Sequence, residues 1–131
     1  MKTFVSTAAV VGALLALSAP SISHAADAAN GKTLFRQQCG VCHLAGKGDG
    51  EGGQGPSLIG VVGRKPASDP NFGSYTQAMM DATKPWTEDV LIEFLANPQK
   101  MYPGTAMPIR VGPETDRADL AAYLATVKAA P

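Results

Sequence analysis

The sequence is poor in the residues from which metal cages and disulfide frameworks are built: 131 residues hold two cysteines and two histidines. A disulfide-stapled scaffold is excluded by that count. Neither sign of charge is in excess, since eleven Lys and Arg face eleven Asp and Glu. A nucleic acid or an anionic membrane surface as main partner would reward a basic surplus, so both are set aside. No apolar run approaches the ~20 residues that cross a bilayer. Strand-like alternation of useful length is missing too, which leaves an all-α reading. Charged residues at 17% and hydrophobic ones at 45% exclude charge-driven disorder. A length of 131 residues suits one domain, by the prior of roughly 100 to 200 residues per domain.

The N-terminal segment stands apart. Lys2 precedes the apolar stretch Ala8 to Leu17, Pro20 breaks it, and small residues flank His24 in Ser23-His24-Ala25. This is the pattern of a secretory signal peptide over residues 1–25, with cleavage after Ala25. The apolar stretch is too short for a retained anchor. Removing 25 of 131 residues leaves a mature chain of 106, with ten basic residues against eleven acidic ones once Lys2 is lost. His24 leaves as well, so His43 becomes the single mature histidine.

The mature chain reads as short helices joined by long loops. Asp27 caps a first helix over Ala28 to Gln38, in which Gly31, Leu34, Phe35 and Gln38 share a face; Gly31, lacking a side chain, lets another helix approach. Eight glycines in the 19 positions from Ala45 to Gly63 predict a loop. A short helix is expected near Tyr75 to Ala82, and another from Thr87 to Ala96 with Thr87 as cap, stopped by Asn97-Pro98. The last starts at Gly112-Pro113-Glu114 with Pro113 in the first helical position, and carries Leu120, Leu124 and Val127 on one face beside Tyr123.

Four short helices and so much loop make a thin side-chain core for 106 residues. The window Cys39-Gly40-Val41-Cys42-His43 supplies the missing filling: C-x-x-C-H is the attachment site of a c-type haem. The two thiols add to the haem vinyls, and His43 is held under the iron. A thioredoxin-like dithiol would need a βαβ setting; zinc would lack a fourth ligand. With no second mature histidine, the sixth iron ligand is Met, another weak donor or nothing. The candidates are Met79, Met80, Met101 and Met107. Met79 and Met80 fall in a predicted helix, where Met commonly fills gaps. Met107 lies in the proline-stiffened segment Pro103-Gly104-Thr105-Ala106-Met107-Pro108, far along the chain from His43, and a thioether there would favour ferrous iron.

The mature chain resembles the class I cytochromes c of the mitochondrial-like branch, which includes soluble periplasmic carriers of bacteria. The resemblance runs through Gly31 to Phe35, the C-x-x-C-H window, Gly55-Pro56-Ser57-Leu58, Gly60 to Lys65, Tyr75, Trp86, Phe94 to Pro98, Pro103 to Met107, and Asp116 to Leu124. It implies the cytochrome c fold and one covalent haem c. It also implies that the Pro56 carbonyl accepts the second ring N–H of His43, that Tyr75 and Trp86 donate to a haem propionate, and that Arg64 is the cation near it. Phe94 stands where the family commonly has tyrosine and Met79 where it has asparagine, so the side of the axial methionine reads as drier; Ala106, where a lysine is common, removes a candidate for replacing Met107 at alkaline pH.

The expected function is one-electron transfer by a monomeric periplasmic carrier, not enzymatic turnover. The resemblance implies redox proteins as partners: a bc-type complex, a terminal oxidase, a photosynthetic reaction centre, or a periplasmic reductase or dehydrogenase. A haem enzyme or gas sensor is the competing class. It would want a polar distal residue, and the mature chain has no spare histidine for that role.

Overall fold

The computed structural model describes residues 24–129; the predicted leader up to residue 23 lies outside the described residues. Five helices follow in order: α1 Ala28–Gln38, α2 Gln77–Met80, α3 Glu88–Ala96, α4 Pro98–Met101 and α5 Glu114–Thr126. The only β pairing among the described residues is an isolated bridge between Gly46 and Asp49. None of the described helices is long and apolar enough to cross a membrane.

The frame of the fold is the crossing of α1 and α5, with α3 packed on α5. Asp27 caps α1 by accepting from the backbone N–H groups of Ala29 and Asn30, which satisfies donors that have no partner inside the helix. Gly31 sits at the crossing. A Cβ built there would lie 1.9 Å from the Asp119 carbonyl oxygen and 2.9 Å from Tyr123 Cβ, so the two backbones meet at a distance that only glycine permits. Beside this point, the rings of Phe35 and Tyr123 are 5.5 Å apart, and Leu120, Ala121 and Leu124 are buried.

Gly31→Ala is therefore expected to destabilise the holoprotein. Alanine is the better helix former by about 1 kcal/mol, but overpacking against backbone costs about 3 kcal/mol or more when nothing can move aside. The net effect should appear as a lower urea midpoint with an unchanged slope; an unaltered midpoint would mean that the crossing is looser than its geometry.

Two buried carboxylates tie the crossing to its surroundings. Asp119 of α5 accepts from the Asp27 N–H at 2.7 Å, from Asn30 Nδ2 at 2.7 Å and from His24 Nε2 at 3.1 Å. The last contact belongs to the full-length chain, and cleavage after Ala25 would remove it. The side chain of Asn30, the backbone of Asp27 and the His24 contact hold the Asp119 carboxyl below its ordinary value against burial. Asp49, in the loop after the C-x-x-C-H window, receives Tyr123 Oη at 2.8 Å, Arg36 Nε at 2.8 Å and Lys32 Nζ at 3.2 Å. Burial pushes Asp49 up, and these donors together outweigh it. The loop is thus clamped to α1 and α5 at once.

Three boundaries differ from the sequence expectation. The helix expected over Tyr75 to Ala82 is one turn, Gln77–Met80, because Thr76 is extended and uses its hydroxyl to cap Met79 N–H. Asn97-Pro98 does stop α3, yet it also starts α4: the Asn97 side chain accepts from Lys100 N–H, and Pro98 occupies the first position, where a missing N–H costs nothing. Pro113 is the N-cap of α5 and not its first helical residue, with ψ at 134°.

Candidate functional site

The C-x-x-C-H window folds as a tight turn off the end of α1. Cys39 is the C-cap, its N–H bonded to the Phe35 carbonyl, while the N–H groups of Cys42 and His43 both return to the Cys39 carbonyl at 3.0 and 2.9 Å. Two thiols and an imidazole are thereby carried on one rigid corner. Burial, with the nearby Cys42, pushes the Cys39 thiol up to about 11, so it rests as a neutral thiol.

This corner forms one wall of a cavity of about 390 Å³, within the range of ligand pockets. Its floor is apolar, with Phe35, Leu91, Phe94, Leu95, Leu120 and Leu124 among the lining residues. All eight residues singled out from the sequence line it: Cys39, Cys42, His43, Pro56, Arg64, Tyr75, Trp86 and Met107. Residues up to 68 positions apart, such as Cys39 and Met107, are gathered around one space.

The imidazole is oriented by its surroundings. Nδ1 of His43 lies 2.8 Å from the Pro56 carbonyl oxygen. A carbonyl can only accept, so Nδ1 carries the proton and Nε2 keeps its lone pair free. Burial lowers the His43 pKa, and the bond to Pro56 opposes this only in part; the ring is neutral, as a metal ligand must be. Gly55 makes room for it, because a Cβ there would lie 2.4 Å from His43 Cε1.

The opposite demands are made of Arg64. Its terminal nitrogens donate to the Ser57 carbonyl at 2.6 Å and the Ile59 carbonyl at 3.1 Å, while Nε is buried with no partner. A buried, unpaired guanidinium N–H in a cavity wall calls for an anion. Trp86 is brought beside it by backbone bonds, Trp86 N–H to the Arg64 carbonyl and Gly63 N–H to the Trp86 carbonyl, and its ring packs edge-on against Phe94 and Tyr102. The Tyr75 hydroxyl accepts from Asp69 N–H at 3.3 Å, which leaves its own proton to donate.

Of the four candidate methionines, Met79 and Met107 line the cavity. Met80 is 47% exposed, and Met101 packs against the apolar core. Met107 is steered by Thr105, whose hydroxyl accepts from the Met107 N–H at 3.4 Å.

These residues fit haem c. Paired thiols on a turn, an imidazole with its second nitrogen free, a thioether and an anion-seeking arginine around an apolar space are the donor set that a covalently held iron porphyrin with carboxylate arms requires. Zinc fits less well: no group of three or more His, Cys, Asp or Glu among the described residues is arranged to hold a metal ion. Sequence reasoning passed over Asp69. Its carboxyl accepts from Asn71 N–H at 2.9 Å and Ser57 N–H at 2.7 Å. The Asn71 N–H lowers its pKa most, burial opposes, and Ser57 with the charge of Arg64 add to the lowering. The Asp69-Pro70 turn signal was its one trace in the sequence.

A helical domain folded around a C-x-x-C-H turn and an apolar cavity of this kind defines a c-type haem protein. The cytochrome c family model matches residues 28–128. The chain is 42% identical over 103 residues to cytochrome c2 of Rhodopila globiformis, covering 78% of this chain and 94% of that one. It is 41% identical over 101 residues to cytochrome c of Chlamydomonas reinhardtii (76% and 88%) and 39% over 103 residues to that of Euglena viridis (78% and 98%). The chain belongs to the cytochrome c family. It has the cytochrome c fold, binds haem c covalently, and is an electron carrier and not an enzyme.

Proposed function

We propose that the protein is a soluble, monomeric, periplasmic one-electron carrier, exported on a leader of residues 1–25. Cys39 and Cys42 carry the haem, and His43 and Met107 are the axial ligands. The observation that carries this reading is the His43–Pro56 bond of 2.8 Å in the wall of a cavity that Met107 also lines. It presents a neutral imidazole in the one tautomer that can ligate through Nε2.

The bound haem supplies the one-electron chemistry. The chain's own work is to keep the site from changing when the electron arrives. Pro56 holds the imidazole ring, the Pro103 to Pro108 strap holds the thioether, and the apolar lining excludes water, so little must reorganise. Arg64, Tyr75 and Trp86 hold the propionates, and the cation of Arg64 offsets their charge in a setting of low dielectric. Electrons pass during brief docking on a small interface. The partners are redox proteins of the kinds named above.

The test uses the exported holoprotein. Its N-terminus is expected at Ala26, and its reduced form should take up carbon monoxide slowly or not at all, because the thioether occupies the sixth position. Rapid uptake would overturn the ligation and favour a sensor or enzyme with an open site.

A further inference from the structure

Pro56 and Ser57 share one peptide group, and both of its polar ends are engaged. The carbonyl oxygen faces His43 Nδ1 at 2.8 Å, and the N–H donates to Asp69 Oδ2 at 2.7 Å. We infer that Asp69 is a positioning residue for His43, acting through the Pro56–Ser57 peptide to strengthen the grip on the ring proton.

A carboxylate drawing on an amide N–H shifts electron density within that amide toward its carbonyl oxygen, and hydrogen bonds in series strengthen one another. A more negative Pro56 oxygen pulls harder on the Nδ1 proton and makes Nε2 the better donor, as a carboxylate bonded directly to a ligand histidine would. Here the carboxylate acts at one remove. The arrangement is built rather than incidental. Asp69 is 8% exposed, its other oxygen is fixed by Asn71 N–H, and its own N–H is bonded to the Tyr75 hydroxyl. Arg64 grips the next carbonyl, that of Ser57, at 2.6 Å, so the segment cannot swing away from the ring.

The inference rests on His43 being an iron ligand. The test is Asp69→Asn in the reduced holoprotein, with nuclear magnetic resonance of the His43 ring proton and the midpoint potential read together. The ring proton should exchange with solvent about tenfold faster, the scale set by weakening one charge-assisted hydrogen bond, and the potential should rise. Asp119→Asn removes a buried carboxylate from the α1–α5 crossing and should leave the ring-proton exchange within about twofold of wild type. A raised potential with unchanged exchange would reduce Asp69 to a mere nearby charge and overturn the inference, as would equal changes in Asp119→Asn. If Asp69→Asn does not fold, Asp69→Glu displaces the carboxylate while keeping its charge. The Ser57 amide and His43 ring resonances should then move together, and movement of the first alone would overturn the relay. In wild type, His43 ring resonances without large haem ring-current shifts would instead sink the ligand reading itself.

Discussion

With Cys39→Ala and Cys42→Ala together, the haem-free chain is expected to be largely unfolded. The reason is the place of the cavity. Helices α1, α3 and α5 supply residues to its wall, Phe35, Leu91, Phe94, Leu95, Leu120 and Leu124 among them, so a haem held there would fill the centre of the apolar cluster that these helices form. An empty space of about 390 Å³, at about 24 cal/mol per Å³, would cost ~9 kcal/mol, an upper figure because water enters at the mouth. Domains of this size have a net stability of roughly 5 to 15 kcal/mol. The missing group is therefore worth about as much as the whole fold, and folding and attachment are coupled. Far-ultraviolet circular dichroism of the double variant should lose most of its helical signal, and amide exchange should lose protection across the α1–α5 crossing. A native-like helical spectrum without haem would show that the crossing around Gly31, Phe35 and Tyr123 stands by itself.

Met107→Ala is expected to abolish the weak near-infrared sulfur-to-iron band of the ferric protein and to lower the potential, since loss of a soft thioether removes a preference for ferrous iron. The opened site should then bind added ligands readily. The structure sharpens the controls. Met80→Leu and Met101→Leu lie outside the cavity wall and should keep the band. Met79→Leu is the decisive comparison, because Met79 lines the same space but is carried on the single turn of α2. Each Met→Leu change keeps volume and should cost less than about 1.5 kcal/mol. A band lost in Met79→Leu and kept in Met107→Ala would move the axial assignment to Met79.

Much of this molecule is legible in one dimension, wherever the chemistry is local. The C-x-x-C-H window puts two thiols and an imidazole within five residues, and no folding argument is needed to read its purpose. Helix α1 has the bounds expected of it, Ala28–Gln38, because a cap and a periodic face are properties of neighbouring residues. Gly31 could be read as a close approach because its lack of a side chain falls on the buried face. Helix α4 was hidden, since Asn-Pro reads equally as the end of one helix and the start of the next, and the backbone at Asn97 chooses both.

What depends on residues distant in the chain was decided only by the tertiary structure. Nothing in the loop from Ala45 to Gly63 says that Asp49 will meet Lys32, Arg36 and Tyr123. A lone aspartate among glycines reads as a solvated turn, and only burial turns it into a clamp. The four candidate methionines are chemically alike on paper, and the packing of α2 and the Pro103 to Pro108 strap reduces the cavity candidates to two. Asp69 is the sharpest case. Its carboxylate lies 26 positions from His43 in the chain and reaches it through a peptide group that belongs to neither residue. Hydrogen bonds fall off within a few tenths of an ångström and depend on angle, so such a chain of contacts exists only after folding has set the positions of Asp69, Ser57, Pro56 and His43 at once.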